Sequence, residues 1–514
     1  MKTSVGKHGR PRPGPLSQER ESHSPVFGEI VALVSSWCLV ANDQPADTAH
    51  QSHTTASAVP TLSLSPGERA GVRAGVAQTF PKTALAALTI LVFSGSLASA
   101  ESFMLTGAVV HTVSGETLSP GHVWVQDGKV AGVGRRLPAG NTKMIALAGL
   151  HLYPGMIALN TELGLVEIGA VRATHDEREV GDYTPDVESW VAVSPDSEML
   201  PVARANGVSH FEPVPQGGVV AGQSGLLAID GWTTEQMTIK KPIALHVFWP
   251  EAGLELSPRE FGRGRGREKP KSPEEQAKQR REKAKELEDF FAEARAYAKA
   301  RDAAKDGAHA AERIPAWEAM LPVLRGEIPI TIHADDIRQI HAAVQWAETN
   351  QFKIILAEAR DAWKAAGLLA TNRIPVIYNN VFAQPARDTD SYDAHFAAPE
   401  TLRRAGVQVV FSLSDRSSSL TKNLPYEAAQ AVAFGYPADE ALKGITLYPA
   451  QLAGVADRLG SIEAGKDATF FAADGDILDI RSNVKRMWIA GKEVSLESRH
   501  TRFYEKYKNR PKGN

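Results

Sequence analysis

The sequence predicts an α/β fold: a (β/α)8 TIM barrel with a small β-sandwich domain built from both ends of the chain. Three observations predict it. A long middle part alternates short apolar segments with amphipathic ones, which is typical of βα units around a parallel sheet. Segments of β-like pattern with tight turns lie on either side of it, at 102–152 and 460–495. An apolar, β-branched run at Ile328–Ile332 ends on His333, and strand ends form the mouth of such a barrel.

Length and composition are those of an ordinary globular protein. The 514 residues exceed one small domain, although a barrel can take up roughly 250 residues as one unit. Hydrophobic residues make up 43% of the chain and charged residues 23%. The net charge of −3 gives no electrostatic basis for binding nucleic acid. The single cysteine, Cys38, excludes intramolecular disulfides and a zinc site made of several cysteines.

The first hundred residues are predicted to lie outside the folded part. Residues 1–82 are rich in Ser, Pro, Gly and Ala without periodicity, so we expect a disordered extension or a segment upstream of the true translation start. Residues 83–100 follow Lys82 with an apolar run and end in Ala98-Ser99-Ala100, the pattern of a signal peptide. A transmembrane anchor at 84–99 is the alternative, but the run is short for a membrane span. A signal peptide predicts an exported protein, periplasmic or extracellular, with no stable membrane span after cleavage.

The β domain and the barrel follow in order. We expect the β domain to combine residues 101–152 and 456–500, with a hairpin turn at Asp127-Gly128. The barrel is expected over 153–455. Its strand candidates are Leu150–Ala158, Val208–Phe211, Leu226–Ile229, Ile243–Phe248, Ile328–Ile332, Lys353–Ala357, Pro375–Tyr378 and Val407–Leu413. Helical patterns separate the later strands, for example at 337–348.

A charged segment at 252–312 interrupts the barrel pattern, and a basic tail at 501–514 ends the chain. Within the insertion, Arg263–Lys271 is basic and glycine-rich, and Ser272–Glu275 forms a capping box with Pro at the first helical position. The helix after it, to about Ala304, has one apolar stripe, formed by Leu287, Phe290, Phe291, Ala294 and Tyr297. We expect a charged helix that packs on the barrel by this stripe. Contact of the basic stretch with anionic lipid or nucleic acid is the alternative.

His333 is the first candidate site residue. It ends a strand and is followed by Asp335 and Asp336. A His at a strand end, facing carboxylates from other strands, can hold a metal ion that activates water for hydrolysis. A hydrogen bond from His333 to a backbone carbonyl is the structural alternative.

Other polar residues in the strands are weaker candidates. Ser224 lies in a glycine-rich region at 215–225, and as a nucleophile it would need a neighbouring base, which the sequence does not reveal. His210 and His246 fall within strand candidates, so we expect them in the core rather than as metal ligands.

Three segments of the chain resemble the metal-dependent amidohydrolase superfamily, in particular its imidazolonepropionase-like branch. Gly149–Ile157 resembles the entry into the first barrel strand, and Ile328–Ala334 resembles the fifth strand with its metal-binding His. Gly406–Lys492 resembles the eighth strand, the last helix and the closing sheet, where Gly460–Ala468 (GSIEAGKDA) is the most specific motif. The resemblance covers roughly 102–495.

The resemblance implies hydrolysis. In the family, one or two divalent metal ions acidify a water molecule that attacks a carbon–nitrogen bond, usually of an amide or a cyclic amide. By position, Asp415 resembles the strand-8 Asp that binds metal, takes the proton of the water and passes it to the leaving nitrogen. His333 resembles the strand-5 metal ligand.

The chain departs from the family pattern where three imidazoles are expected. Asn160 and Glu162 stand where the family has His-x-His at the end of strand 1, and Glu358 stands at the strand-6 His position. The implied metal ligands are therefore Asn160, Glu162, His333, Glu358 and Asp415. This oxygen-rich set suits harder cations such as Mn²⁺, Mg²⁺ or Ca²⁺ better than it suits zinc. An inactive member that binds no metal would show the same losses.

Two functions follow from the sequence. The first is an exported, amidohydrolase-like hydrolase that acts on carbon–nitrogen bonds of non-peptide or cyclic amides through a modified metal centre holding zinc or manganese. The second is a catalytically inactive protein of this fold, without metal, that binds a small molecule or partners an active homologue. The expected partners are a small-molecule substrate or ligand and a further subunit, in a homo-oligomer or a hetero-oligomer, and no nucleic acid.

Overall fold

The computed structural model describes residues 102–138, 142–251, 259–260, 267–268, 271–304, 312–413 and 418–511. The predicted extension at 1–82 and signal peptide at 83–100 lie outside the described residues, as does most of the basic stretch at 263–271. The described strands are β1 (Phe103–His111), β2 (Thr117–Gln126), β3 (Lys129–Gly134), β4 (Lys143–Ala146), β5 (His151–Pro154), β6 (Met156–Thr161), β7 (Val208–Pro213), β8 (Val220–Ala228), β9 (Thr238–Phe248), β10 (Arg259–Glu260), β11 (Arg267–Glu268), β12 (Ile330–Ala334), β13 (Ile354–Glu358), β14 (Val376–Tyr378), β15 (Val409–Phe411), β16 (Phe470–Ala473), β17 (Val484–Ile489) and β18 (Lys492–Val494).

Helices follow most of the later barrel strands. They are α1 (Ser189–Ala192), α2 (Met199–Arg204), α3 (Thr234–Met237), α4 (Pro273–Ala304), α5 (Pro315–Leu324), α6 (Ile337–Asn350), α7 (Ala366–Thr371), α8 (Ala394–Ala405), α9 (Leu424–Ala433), α10 (Ala438–Ile445), α11 (Leu447–Leu452) and α12 (Arg499–Lys508). Short 3-10 turns lie at Arg172–Thr174, Ala362–Ala365 and Ser418–Asn423. Among the helices described, none is both long and apolar enough to cross a bilayer.

The two ends of the chain combine into one eight-stranded sheet, as predicted. Its order is β18-β17-β16-β5-β1-β2-β3, and β4 pairs with β1. The antiparallel pairing of β5 with β16 joins the N-terminal strands to the C-terminal ones. The turn between β2 and β3 has positive φ at both Asp127 (51°) and Gly128 (76°), as the hairpin turn predicted there requires.

The second large sheet is the barrel, with the order β6-β7-β8-β9-β12-β13-β14-β15. The pairings make seven strands parallel, as predicted for the barrel, and one strand, β8, antiparallel to both of its neighbours. Only residues 214–219 connect β7 to β8, whereas a parallel crossover needs about a dozen residues or more. The chain therefore turns back as a hairpin at this point.

Side chains close the barrel between its first and last strands and fill its interior. Ser412, just after β15, donates its hydroxyl hydrogen to the carbonyl oxygen of Leu159 in β6 over 2.7 Å. An apolar layer fills the lower barrel and contains Ile157, Leu159, Leu226, Ile243, Ile355, Ala357, Ile377 and Val410. The lumen is thus a packed core, and chemistry is confined to its mouth.

The charged helix α4 packs on the barrel by the apolar stripe seen in the sequence. Leu287, Phe291 and Ala294 are buried in the main core. The Phe291 ring lies edge-on to Trp346 of α6, with ring centroids 5.0 Å apart. The Phe290 ring lies 4.8 Å from the ring of Tyr183, which belongs to the segment between β6 and β7. The helix thereby supports the region next to the barrel mouth.

Candidate functional site

A layer of polar side chains caps the apolar interior of the barrel. Successive residues of a strand point to opposite faces, so every second residue enters the lumen. This alternation brings in Glu212 from β7, Ser224 from β8, His246 from β9 and His333 from β12. All four are buried. The layer lies at or near the carboxyl ends of β7, β9 and β12, where barrels carry their functional sites.

Asn160 and Glu358 reach the same layer through unusual backbone conformations. Leu159 and Ala357 already point into the apolar lumen, so regular alternation would turn the next residue of each strand away from it. However, Asn160 has φ of 56° and Glu358 has φ of 66°, both in the left-handed region. Such residues cost on the order of 1 kcal/mol or more and persist only where the surroundings hold them. In this conformation the side chains of Asn160 and Glu358 contact each other across the mouth of the barrel.

Six buried or nearly buried residues form a closed cycle of hydrogen bonds, which we call the polar ring: Glu212, Ser224, His246, His333, Glu358 and Asn160. Ser224 donates to Glu212 Oε1 over 2.6 Å, and its Oγ lies 2.8 Å from His246 Nε2. His246 Nδ1 lies 3.0 Å from His333 Nε2. Two imidazoles and a hydroxyl thus connect the β7 side of the mouth to β12.

Asn160 closes the ring on the opposite side. His333 Nδ1 lies 3.1 Å from Glu358 Oε1, and the Nδ2 of Asn160 donates to the same carboxylate oxygen over 3.2 Å. The backbone N–H of Asn160 donates to Glu212 Oε2 over 3.0 Å. Asn379, following β14, donates to the other oxygen, Glu358 Oε2, over 2.5 Å. One asparagine therefore links the two carboxylates of the ring.

Both carboxylates of the ring are held ionised. Burial raises the pKa of Glu358, but hydrogen bonds from His333, Asn160 and Asn379 more than offset it and keep the pKa below its usual value. Burial also raises the pKa of Glu212, and bonds from His246, Ser224 and the Asn160 amide lower it again. Burial lowers the pKa of His246, which favours its neutral form. At neutral pH both carboxylates of the ring are therefore ionised.

Glu358 is the point where the ring meets the mouth of the barrel. Its side chain is 12% exposed, whereas that of His333 is 2% exposed and that of His246 is fully buried. Phe248 stacks on the His333 ring, with centroids 4.0 Å apart, and shields it further. A small molecule entering the mouth would touch the Glu358 carboxylate before any other member of the ring.

Three of the residues predicted to bind metal, Asn160, His333 and Glu358, lie together in the polar ring. However, each nitrogen of His333 already faces a ring partner, and the bonds to Glu358 come from hydrogen-bond donors. In the part of the chain that the structure describes, no group of three or more His, Cys, Asp or Glu side chains is arranged to hold a metal ion. The described residues, as they are bonded, do not fit a metal centre.

The two remaining predicted ligands are Glu162 and Asp415. Glu162 follows Asn160 by two residues, and its carbonyl oxygen accepts bonds from the backbone amides of Leu165 and Val166, where the chain leaves the barrel. It is not a member of the polar ring. Asp415, predicted as the catalytic residue and a ligand, lies outside the described residues.

Sequence reasoning missed half of the ring. The sequence did not reveal which titratable group lies beside Ser224; in the structure it is His246, whose Nε2 lies 2.8 Å from the Ser224 hydroxyl oxygen. His246 is in the core, as expected, but as a hydrogen-bond partner of His333. Glu212 was not among the site residues predicted from the sequence. A buried Glu two residues after His210 in an otherwise apolar strand was the available signal, since buried carboxylates need partners.

A second group of buried carboxylates lies just behind the ring, on the loops that follow β12 and β13. We call it the ion cluster: Asp336, Asp361, Lys364, Arg387 and Asp390. Arg387 donates to both oxygens of Asp361, over 2.9 and 2.7 Å. Burial raises the pKa of Asp361, and Arg387 together with the Ile337 amide holds it below its usual value. The pKa of Asp336 is lowered to about 2, mainly by its hydrogen bond with Arg338.

A barrel capped by carboxylates and imidazoles, with a sheet built from both chain ends, defines the class of the protein. Residues 235–494 match the model of the amidohydrolase family, which is half of the chain. The chain belongs to this family, whose members are generally metal-dependent. The hydrogen bonds within the polar ring therefore differ from the metal coordination that is expected in this family.

Individual proteins show the same relationship. The crystal structure of an amidohydrolase from Thermotoga maritima MSB8 is similar, with a TM-score of 0.67 and 26% identity, over 76% of this chain and 99% of that one. Amidohydrolase tasK of Hapsidospora irregularis is 26% identical over 186 residues, which is 34% of this chain and 18% of that protein. The imidazolonepropionase of Brucella suis is 26% identical over 144 residues, 28% of this chain and 34% of that protein. The chain thus matches only about a third or less of these curated relatives' length.

Proposed function

We propose that this protein is a hydrolase that acts on a carbon–nitrogen bond of a small, non-peptide amide, with Glu358 as its acid–base residue. One observation carries the proposal. Glu358 is the ring carboxylate that reaches the mouth, and three donors hold it in place and ionised. Family membership supports a hydrolase. The modified metal centre expected from the sequence is not part of the proposal, because the described ligands are bonded to one another.

The chemistry requires one proton to move twice. Glu358 takes a proton from a water molecule as the water oxygen bonds to the amide carbon. The carbon–nitrogen bond then breaks, and Glu358 returns the proton to the leaving nitrogen. The products are a carboxylic acid and an amine, or a single ring-opened molecule from a cyclic amide. His333, whose Nδ1 lies 3.1 Å from Glu358 Oε1, keeps the carboxylate oriented during both steps.

The size of the expected rate enhancement points to the substrate class. A positioned general base contributes about 10²- to 10⁴-fold, far less than a complete metal site with several contributing groups. A catalyst of this strength suits a bond that is already labile. We therefore propose a strained or activated cyclic amide, such as a cyclic imide, rather than a peptide.

The test is a panel of small cyclic imides, lactams and anilides, assayed with the full chain. Glu358→Gln keeps the shape of the side chain but removes its basicity, and we expect it to lower kcat/KM by about 10²- to 10⁴-fold. Glu293→Gln, on the exposed face of α4, is the matched control and should keep full activity. Equal turnover by Glu358→Gln and the unmodified chain would refute the role of Glu358.

A second candidate function is supported by the closure of the ring. Each bond described there is made between residues of the chain itself, which also suits a catalytically inactive member that binds a small molecule or pairs with an active homologue. This alternative predicts a compound that raises the melting temperature in a saturable way and is recovered unchanged. Ring-opened product in the same sample would exclude it.

We also propose export and assembly with a further subunit. Export is supported by Lys82, the apolar run after it and the small residues ending at Ala100. N-terminal sequencing of protein recovered from the periplasm should start at Glu101, and a start at Met1 would contradict the proposal. Light scattering on that material tests whether it is a monomer or an oligomer.

A further inference from the structure

Asn160 has an unusual position because it bonds to both carboxylates of the polar ring at once. Its backbone N–H donates to Glu212 over 3.0 Å and its Nδ2 donates to Glu358 over 3.2 Å. The residue is 1% exposed. Two buried negative charges are thus held on one residue by N–H donors. In a site of this kind, a divalent cation is the other group able to offset two carboxylates.

The backbone at Asn160 is held in a conformation that regular strands avoid. Its φ is 56°, and the pairing of β6 with β7 shifts register between Ala158 and Thr161. Asparagine tolerates the left-handed region better than most residues. Hydrogen bonds to ionised groups are about twice as strong as neutral ones, so the two carboxylates stabilise this local strain. The conformation and the two bonds therefore depend on each other.

The orientation of the Asn160 amide follows from the charge of its partner. Its Oδ1 is buried and has no hydrogen-bond partner among the described residues. Turning the amide over would place that oxygen against the Glu358 carboxylate, which would repel it. The Nδ2 donor therefore stands on the Glu358 side of the amide.

His333 completes the set of donors around Glu358. A neutral imidazole has one N–H and one lone pair. His333 Nδ1 lies 3.1 Å from Glu358 Oε1 and its Nε2 lies 3.0 Å from His246 Nδ1, so both nitrogens of His333 face a ring partner. Asn160 Nδ2 and His333 Nδ1 thus face the same oxygen, Glu358 Oε1.

We propose that Asn160 is a positioning residue whose N–H groups take the place of a metal cation, so that the mouth of this barrel is organised without a metal ion. The inference concerns the site of the proposed hydrolase and rests on the assignment of Glu358 to it. The inference is tested by metal content and thermal stability, whereas the proposed hydrolase activity is tested by turnover. Either proposal can therefore fail while the other holds.

The experiment uses the full chain, expressed in medium supplemented with manganese and zinc and purified without chelator. Elemental analysis should find only trace metal, and dialysis against EDTA should leave the melting temperature unchanged. These measurements need no variant. Near-stoichiometric metal that EDTA removes with a fall in melting temperature would overturn the proposal.

Substitutions at Asn160 sharpen the test. Asn160→Asp replaces the donor by a carboxylate next to Glu358 and His333, which creates three metal-binding groups around one point. We expect metal content to rise from trace to near one ion per chain, with a melting temperature that rises with added Mn²⁺. Asn160→Ala removes the donor without adding a ligand and should stay metal-free. A folded Asn160→Asp variant that takes up no metal, or uptake by Asn160→Ala, would show that the Asn160 donor does not occupy the cation's place.

Discussion

The polar ring and the ion cluster share two strand ends but stabilise their carboxylates in different ways. His333 lies in β12 and Asp336 follows it by three residues, just after the strand; Glu358 ends β13 and Asp361 follows it by three residues. In the cluster, Asp361 faces the guanidinium of Arg387. In the ring, the bonds that lower the pKa of Glu358 come from His333 and two asparagines. Asp361 is thus paired with a guanidinium, whereas the bonds described for Glu358 come from an imidazole and two side-chain amides.

This difference separates structural from chemical roles. The cluster ties the loop after β14 to the loops after β12 and β13, since Arg387 contacts both Asp336 and Asp361. The ring leaves Glu358 partly exposed at the mouth. Substitutions in the ion cluster should therefore change stability and leave catalytic activity unchanged. In the polar ring, substitutions of fully buried residues should mainly change stability, and those of the partly exposed Glu358 should mainly change activity.

The largest expected effect on stability is that of Glu212→Leu in the ring. The carboxylate of Glu212 is 3% exposed and accepts from Ser224 and from the Asn160 amide. Removing it leaves these donors buried without an acceptor, which we expect to lower the free energy of unfolding by about 3–5 kcal/mol. Urea unfolding followed by circular dichroism measures it. Glu212→Gln, which keeps an acceptor oxygen, should lose less, and a loss below about 1 kcal/mol in Glu212→Leu would contradict the importance of the ring.

Acid should weaken the protein in two steps, of which the upper one belongs to buried imidazoles. Burial is the main cause that lowers the pKa of His210 from 6.5 to about 4. Between these values the unfolded chain binds the proton more readily, so stability falls as the pH falls from 6.5 to about 4. A shift of this size corresponds to roughly 3 kcal/mol. The carboxylates of Glu212, Glu358 and Asp361 have lowered pKa values, and their contribution is lost only at lower pH.

The substitution His210→Gln isolates the upper step. Unfolding free energies measured at pH 7 and pH 4.5 should differ less in this variant than in the unmodified chain. The exposed His341, replaced in the same way, serves as the control. If His210→Gln keeps the full loss between these two pH values, the buried imidazole at β7 does not govern it.

Asp361→Ala should have the next largest effect, and on stability alone. The Asp361 side chain is fully buried, but Arg387 is 36% exposed and can find water, so we expect a loss of about 2 kcal/mol. The kcat/KM of the hydrolase should stay within about twofold, because Glu358 keeps its own donors. Asp479→Ala, in an exposed pair with Arg481, should show no measurable change. A large loss of activity in Asp361→Ala would mean that the cluster and the ring act as one unit.

Much of the fold could be predicted because it follows from local pattern. Strand candidates such as Ile243–Phe248 and Lys353–Ala357 overlap β9 and β13, and the helix predicted at 337–348 is observed at Ile337–Asn350. The apolar periodicity of a segment reflects which of its faces is buried, so it can be read without knowing which elements pack against that face. The reversal of β8 could not be predicted in this way, because a strand pattern carries no direction. The short link at 214–219 was the relevant clue.

The site was only partly predictable, for a physical reason. His333 and Glu358 were found as strand-end residues, but the bonds that define their chemistry come from distant strands. Whether Asn160 binds metal or donates a hydrogen bond depends on its left-handed backbone, with φ of 56°, and on Glu212 across the mouth. Neither the φ angle nor the partner is encoded in the local pattern around Asn160. The ligand set predicted from side-chain type stays a prediction, and the hydrogen-bonded ring is what the geometry adds to it.

The smallest expected effect tests how neutral donors control Glu358. Asn379 donates to Glu358 Oε2 over 2.5 Å and is one of the groups that lower its pKa. Asn379→Ala removes that bond, so the pKa of Glu358 should rise. One hydrogen bond of about 1 kcal/mol corresponds to roughly 0.7 pH unit. The acid limb of the pH profile of kcat/KM should therefore move upward by about this amount while the plateau at neutral pH changes little.

The matched comparison is Asn372→Ala, since Asn372 bonds to the carbonyl of Leu368 at the end of α7, away from the ring. Its acid limb should not move. A direct readout that needs no turnover is the carbon-13 NMR titration of the Glu358 carboxyl in both variants. If Asn379→Ala leaves that titration unchanged, then Asn379 does not control the carboxylate and the contrast with the cation-paired Asp361 weakens. If the pKa rises as expected, the amide of Asn379 is one of the donors that keep Glu358 ionised and ready to accept a proton.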